Sequence, residues 1–427
     1  MSTRFWLLGV VGLMFLALLA ACGSKYSASS DGLVLVGSQG SNVIQTFSFN
    51  LGTGHVAGIS GPPSTSTQPS SMVVDATGSY AYVILAPATT GDPYTIGIFK
   101  VDSGGTLTQS GDGIPLNVGP TGVNVVPNMI SRDAAGKFLF VADRATTDSA
   151  QQHVPGSVSV FTLGSGGSLS EVAGSPFFTS PPPFLQQSTV DIVSVAATPT
   201  VFPSIGLNGT QAAVCSVPGN NPPTTEYLYA VDGLGNQVFE FEVDTSSGTL
   251  GIPVGLTAIQ SAPTDQVPVS IAVDPCDRFA YVSNSLTNKV SGYTICSALL
   301  AGTCDFIGQL VPVAGSPFSL SGSANGIGPL VVDPFGNTVY VVGTLSNTVS
   351  PLKISPVSGS LTALSPATVA TGSKPTSIAI RGDDNWLFVT NYQSASVSQY
   401  SITPATGTLS ALAAIQTENN PWGVAVK

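Results

Sequence analysis

The chain has 427 residues, of which only 8% are charged, against about 25% in an ordinary globular protein, and its net charge is −11. A hydrophobic content of 43% excludes disorder, and 12 Lys+Arg cannot dress the solvent faces of a coiled coil or helical bundle. An acidic chain without a basic run also excludes a nucleic-acid partner.

The first 21 residues read as a signal segment. Arg4 supplies a positive start, and Phe5 to Leu19 form an apolar stretch too short to span a bilayer comfortably. The stretch ends in Leu19-Ala20-Ala21-Cys22, which resembles the bacterial lipobox, in which the cysteine is lipidated and becomes the mature N-terminus. An uncleaved anchor helix would leave Ala-Ala-Cys without a role. Residues 22–31, Ser-rich and with a Gly after Cys22, read as a flexible tether. No Asp follows Cys22, so by resemblance to lipoprotein sorting rules the expected address is the outer rather than the inner membrane. The expectation is an exported protein that touches the membrane through its lipid alone.

From residue 32 onward, one aromatic-apolar pattern recurs. Its copies are Leu33–Val36, Tyr80–Val83, Phe138–Val141, Tyr227–Ala230, Phe279–Val282, Thr338–Val341 and Trp386–Val389. The spacing is roughly 50 residues, which suits a four-stranded propeller blade. Before the later copies lie a strand and a tight turn, as in Leu330-Val-Val-Asp333-Pro-Phe-Gly336, with Asp at i and Pro at i+1 of a type I turn. After it come a polar loop, an alternating strand and a Gly-Thr-Leu or Gly-Ser-Leu hairpin (Gly105, Gly248, Gly359, Gly407) that opens the fourth strand. No stretch beyond residue 30 keeps helical periodicity. The fold class is therefore all-β, a seven-bladed propeller of four-stranded antiparallel blades over residues 32–427.

The first copy lacks a preceding inner strand, while the chain ends on an orphan one, Pro421 to Lys427. Pairing the two closes the ring and leaves no bare sheet edge. One interval, between Phe140 and Tyr229, is stretched. Residues 197–226, rich in Pro, Gly and Asn and lacking a second aromatic anchor, are read as an insertion rather than an eighth blade.

Tyr281-Val-Ser-Asn284 and Phe388-Val-Thr-Asn391 resemble the repeat of the YVTN β-propellers. The long blades, Gly-Thr-Leu hairpins and Gly-Ser-Pro-Phe segments (Gly174–Phe177, Gly315–Phe318) are more similar to the lactonase branch. That branch resembles bacterial 6-phosphogluconolactonase and carboxy-muconate cyclase, so the resemblance implies the propeller fold and allows a lactone-hydrolysing activity. The fold itself hosts many functions.

Beyond Cys22, the cysteines are Cys215, Cys276, Cys296 and Cys304. An even count in an exported chain suggests two disulfides, and blade topology favours Cys296–Cys304 across one hairpin and Cys215–Cys276 pinning the insertion to its neighbour. All four fall on one face of the disc. No zinc spacing accompanies them, and no metal or cofactor is expected.

Hydrolysing a lactone needs a base and donors for the developing oxyanion. The chain has two histidines, and His55 follows a Gly in an outer hairpin. The repeated Asp75, Asp133, Asp274 and Asp333 stand at position i of tight turns, where capping is the expected role. A site belongs on the face opposite the cysteines. Its polar candidates are Asp143, Arg144 and His153 of blade three, Asp232 of blade four, and Asp265 and Asn284 near blade five. Blade seven adds Lys374, Asn391 and Tyr392, and the closure adds Glu418, Asn420 and Trp422. His153 as base with Arg144 beside it could act on a sugar-acid lactone or bind a small anionic ligand; scarce His and Arg argue against a phosphosugar. The competing expectation, favoured by the lipid anchor, the staples and the low charge, is a monomeric binding scaffold at the cell envelope.

Overall fold

The apolar-aromatic copies become the second strands of seven sheets: Asp31–Ser38, Tyr80–Leu85, Phe138–Arg144, Glu226–Asp232, Phe279–Asn284, Thr338–Gly343 and Trp386–Asn391. A computed structural model describes residues 31–427 apart from 60, 62, 90, 117–123, 148–152, 180–189, 200–224, 298–303 and 323. Second strands read as unbroken apolar runs because each is covered on both faces by neighbouring blades; Phe279–Asn284 and Trp386–Asn391 are buried at every residue. Each pairs antiparallel with an inner strand (Pro69–Val74, Val126–Arg132, Ile192–Ala197, Pro268–Val273, Ile327–Val332, Pro375–Ile380) and with a third strand, then a short outer one. No α-helix occurs among the described residues; a single 3-10 turn spans Ser165–Gly167.

The chain closes as the sequence predicts. Pro421–Val426 pairs antiparallel with Asp31–Ser38, with Val34 opposite Val426 and Val36 opposite Val424. The backbones of Leu33 and Lys427 exchange both hydrogen bonds, at 3.2 and 2.9 Å. In blade four, residues 198–225 connect the inner strand to the second.

Hairpin glycines make the joints between blades. The Gly359 hairpin of blade six sits on blade five, and a Cβ at Gly359 would lie 2.5 Å from the Phe279 ring; its φ of +71° suits glycine as well. The Tyr281 hydroxyl donates to the Gly359 carbonyl at 2.8 Å, and the same stitch recurs as Tyr82 to Gly167, Tyr229 to Gly308 and Tyr340 to Gly407. Gln399 donates to the Gly54 carbonyl at 2.9 Å across the closing junction. Each such buried bond contributes about 1 kcal/mol. This is why the third anchor residue is so often tyrosine.

The Gly-Ser-Pro-Phe segments mark a break in the outer strand. Ser175 Oγ accepts from the Val160 N–H at 3.0 Å and Ser316 Oγ from the Gly292 N–H at 2.9 Å, satisfying third-strand donors inside the break. Beyond it, Phe177–Phe178 and Phe318–Ser319 return to the third strand.

Candidate functional site at the channel mouth

In an antiparallel blade, the turns from inner to second strand and from third to outer strand share one face, here termed the turn face. The remaining loops share the other, the mouth face. The turn face is occupied with structure. Asp75, Asp133 and Asp333 accept backbone N–H groups of their own turns, as predicted from their position. Asp274 likewise accepts the Arg278 N–H of its turn at 3.2 Å and also holds the Arg278 guanidinium, Nε at 2.6 Å, which reaches on to the Gly336 carbonyl of the next blade at 2.8 Å. Cys296 and Cys304 form a disulfide with Cα atoms 6.4 Å apart. Cys276 is disulfide-bonded as well; Cys215, the partner expected for it, lies outside the described residues.

Burial distorts the acids of that face. Asp277 and Asp384 stand at turn positions where other blades have Gly78, Gly136 and Gly336, and both adopt the left-handed φ of +56°. Burial pushes their carboxyls up to about 8; Asp274 adds repulsion at Asp277, and Asp333 and then Asp383 at Asp384, against the opposing Lys353. Burial likewise lifts Glu226 to about 8 and Glu240 to about 7. A cavity of about 430 Å³ opens here among inner strands, lined by Val73, Val331 and Ala379 with Asp75, Arg132 and Lys427. Sequence reasoning did not point to it. Arg132 spends its guanidinium on the Val74 and Asp133 carbonyls, at 2.9 Å each, and Asp75 caps its turn, so the cavity is a weak site for chemistry.

On the mouth face the candidates separate into two groups. Asp143, Asp232, Asn284 and Asn391 are fully buried strand-end locks. Asn284 Nδ2 donates to Lys289 O and Ser291 Oγ at 3.0 Å, and Asn391 Nδ2 to Ser396 and Ser398. Asp143 accepts from Ser159 Oγ at 2.7 Å, while burial pushes its carboxyl up to about 7. Asp232 accepts from the backbone of Leu234 and Gly235, tightening its turn. These side chains close the loop between second and third strands, which is why Asn or Asp recurs there.

The second group reaches solvent. Arg144 is half exposed, and its guanidinium meets Asp191, with Nη2 to Oδ2 at 2.7 Å and Nε to both oxygens at 3.3 Å. Asp191 also accepts from the Ala145 N–H and donates its own N–H to Asp232 Oδ1, both at 2.9 Å. Sequence reasoning missed Asp191; its one signal was its place just before the inner strand of blade four. His153 lies on a small hairpin, Thr146–Thr147 with His153–Val154, raised from the same loop as Arg144. The His153 side chain lies outside the described residues.

Across the ring, Lys374, Tyr392 and Trp422 cluster: Lys374 Nζ stands 4.7 Å over the Tyr392 ring, which meets Trp422 edge-on at 5.7 Å. Asp265 pairs with Lys289 at 3.6 Å, and Glu418 accepts from Ser41 Oγ at 3.3 Å. Between these groups runs an apolar arc. Leu234, Leu286 and Leu345 occupy one turn position in three successive blades and are 61%, 64% and 72% exposed, with Val267 beside them at 40%. Among the described residues no cluster of three metal-ligating side chains occurs. Arg144 can thus offer N–H donors to a carbonyl oxygen or an anion while Asp191 fixes it.

The model of the family "Lactonase, 7-bladed beta-propeller" matches residues 318–426. The fold is a seven-bladed propeller, and residues 318–426 of it are similar to that family. A candidate 6-phosphogluconolactonase of Bacteroides fragilis superposes with a TM-score of 0.68 at 19% identity, over 95% of this chain and 100% of that one. The periplasmic gluconolactonase of Pseudomonas aeruginosa superposes with a TM-score of 0.67 at 20% identity, over 93% of this chain and 99% of that one. No curated protein matches the sequence. At such identities the likeness establishes the propeller architecture alone.

Proposed function

We propose that the protein is an exported, lipid-anchored lactone hydrolase acting on a sugar-acid lactone. The observation that carries this reading is the Arg144 guanidinium, fixed by Asp191 yet half exposed, on the same loop as His153. The fold, shared along nearly its whole length with a periplasmic gluconolactonase, supports it. In the mechanism His153 takes a proton from water as its oxygen attacks the lactone carbonyl carbon. Arg144 N–H groups stabilise the oxyanion, and the ring C–O bond breaks as the imidazolium returns its proton to the leaving oxygen. The Cys296–Cys304 disulfide supports an oxidising compartment, and the Cys22 lipobox supports a lipid anchor, with the outer membrane as its address.

The test is turnover of δ-gluconolactone and related lactones by the chain from Asp31 onward. Parent turnover should fall at least tenfold in Arg144→Ala and His153→Ala, about 1.4 kcal/mol or more of transition-state stabilisation. Parent rates equal to spontaneous hydrolysis would remove the proposal. A second reading, an envelope scaffold, is favoured by the exposed leucine arc and predicts no turnover.

A further inference from the structure

The corner of Lys374, Tyr392 and Trp422 is built differently from the rest of the mouth. Lys374 precedes the inner strand of blade seven and Tyr392 follows its second strand, so pairing within that blade sets them side by side, and ring closure adds Trp422 from the closing strand. Their backbone is fixed. Tyr392 N–H donates to Lys374 O at 2.9 Å, and the Trp422 carbonyl accepts from Thr376 and Thr390 hydroxyls at 3.1 and 2.9 Å. Lys374 holds a left-handed φ of +55°, its N–H bonded to Asn347 Oδ1 at 2.8 Å, where blade six has Gly326. A lysine there costs about 1 kcal/mol of backbone strain that glycine would avoid.

The side chains, by contrast, are open. Trp422 is 36% exposed, and Lys374 is exposed. The cations that the described residues place on this face are Arg144, Lys289 and Lys374; the first two are paired with Asp191 and Asp265, and Lys374 has no carboxylate partner among the described residues. An exposed aromatic face beside an unpaired ammonium recognises a ligand that is apolar on one side and anionic at one end.

We propose that Trp422, Tyr392 and Lys374 form a subsite for a sugar acid, its C–H face stacked on the indole and its carboxylate held by the Lys374 ammonium. The choice of ligand rests on the lactone-hydrolase reading, because an aldonate is the product of that reaction. Against a net charge of −11, one free ammonium suits a single carboxylate better than a phosphate dianion.

The protein carries its own reporter. Its three tryptophans are Trp6 in the signal segment, buried Trp386 and exposed Trp422. Titrating gluconate into the chain from Asp31 onward should change Trp422 fluorescence saturably, and the change should vanish in Trp422→Phe and persist in Trp386→Phe. Calorimetry should show gluconate affinity falling about tenfold in Lys374→Met, with circular dichroism unchanged. No saturable response at tens of millimolar, or equal affinity in Lys374→Met, would overturn the subsite. Lactone turnover with KM unaltered in Lys374→Met and Trp422→Phe overturns it while the hydrolase stands; gluconate binding that needs both residues, without turnover, does the reverse.

Discussion

The two faces of the disc come from one repeat but use their residues in opposite ways. On the turn face, the polar side chains mostly serve the fold: aspartates cap turns, Arg278 bridges blades five and six, and tyrosine hydroxyls tie four of the hairpin glycines to the neighbouring blade. On the mouth face, the strand-end Asn and Asp side chains do the structural work from below, and what projects is optional for folding: Leu234, Leu286, Leu345, Lys374 and Trp422. The difference teaches where function can vary without breaking the ring. A residue that holds two blades together has little freedom, whereas one above a locked turn can be exchanged for a ligand contact.

Variants on the two faces should therefore part company. The largest effect is expected for Gly359→Val, whose Cβ would lie 2.5 Å from the Phe279 ring at a positive φ; urea unfolding should show a loss of about 3 kcal/mol or more. A midpoint like that of the parent would break the comparison at its strongest point. Next, Tyr281→Phe keeps the ring but removes the buried hydroxyl that donates to Gly359, and should cost about 1–2 kcal/mol in the same assay.

Smaller, but with a distinct signature, is the effect at Asp384. Its carboxyl is raised to about 8 in the folded chain from an ordinary value of 3.8, so the stability it contributes is full at low pH and is lost as pH rises through 8. Asp384→Asn should match the parent near pH 4 and melt higher by pH 8, by roughly 2 °C. An unchanged difference across that range would show that Asp384 does not titrate in this window. The smallest effect belongs to the mouth. Leu286→Ser, at 64% exposure, should alter stability by less than about 0.5 kcal/mol, and a larger loss would mean that the arc is packed rather than displayed.

Much of this was readable along the chain. The period of the aromatic copies predicts seven second strands, the orphan Pro421–Lys427 segment predicts the closure, and the short span between Cys296 and Cys304 predicts their bond. Asp-Pro-x-Gly turns likewise predict capping at Asp333. The site was legible only in part. Arg144 is where its loop places it, but Asp191, which orients it, sits 47 residues away and carries no motif. Asn284 and Asn391 read as ligand candidates because polarity and loop position are visible in sequence, whereas the Ser291, Ser396 and Ser398 hydroxyls that engage them lie across a turn.

The division has a physical cause. Alternation of side chains along a strand and the backbone demands of tight turns are local, and they repeat in every blade, so 8% charge, apolar strands and glycine hairpins suffice to specify the ring. Exposure is not local: Leu286 and Asn284 are two residues apart, and one is displayed while the other is fully buried. Which side chains meet between the last blade and the closing strand, as Tyr392 and Trp422 do, is decided only when that strand joins the first blade and the circle fixes their separation.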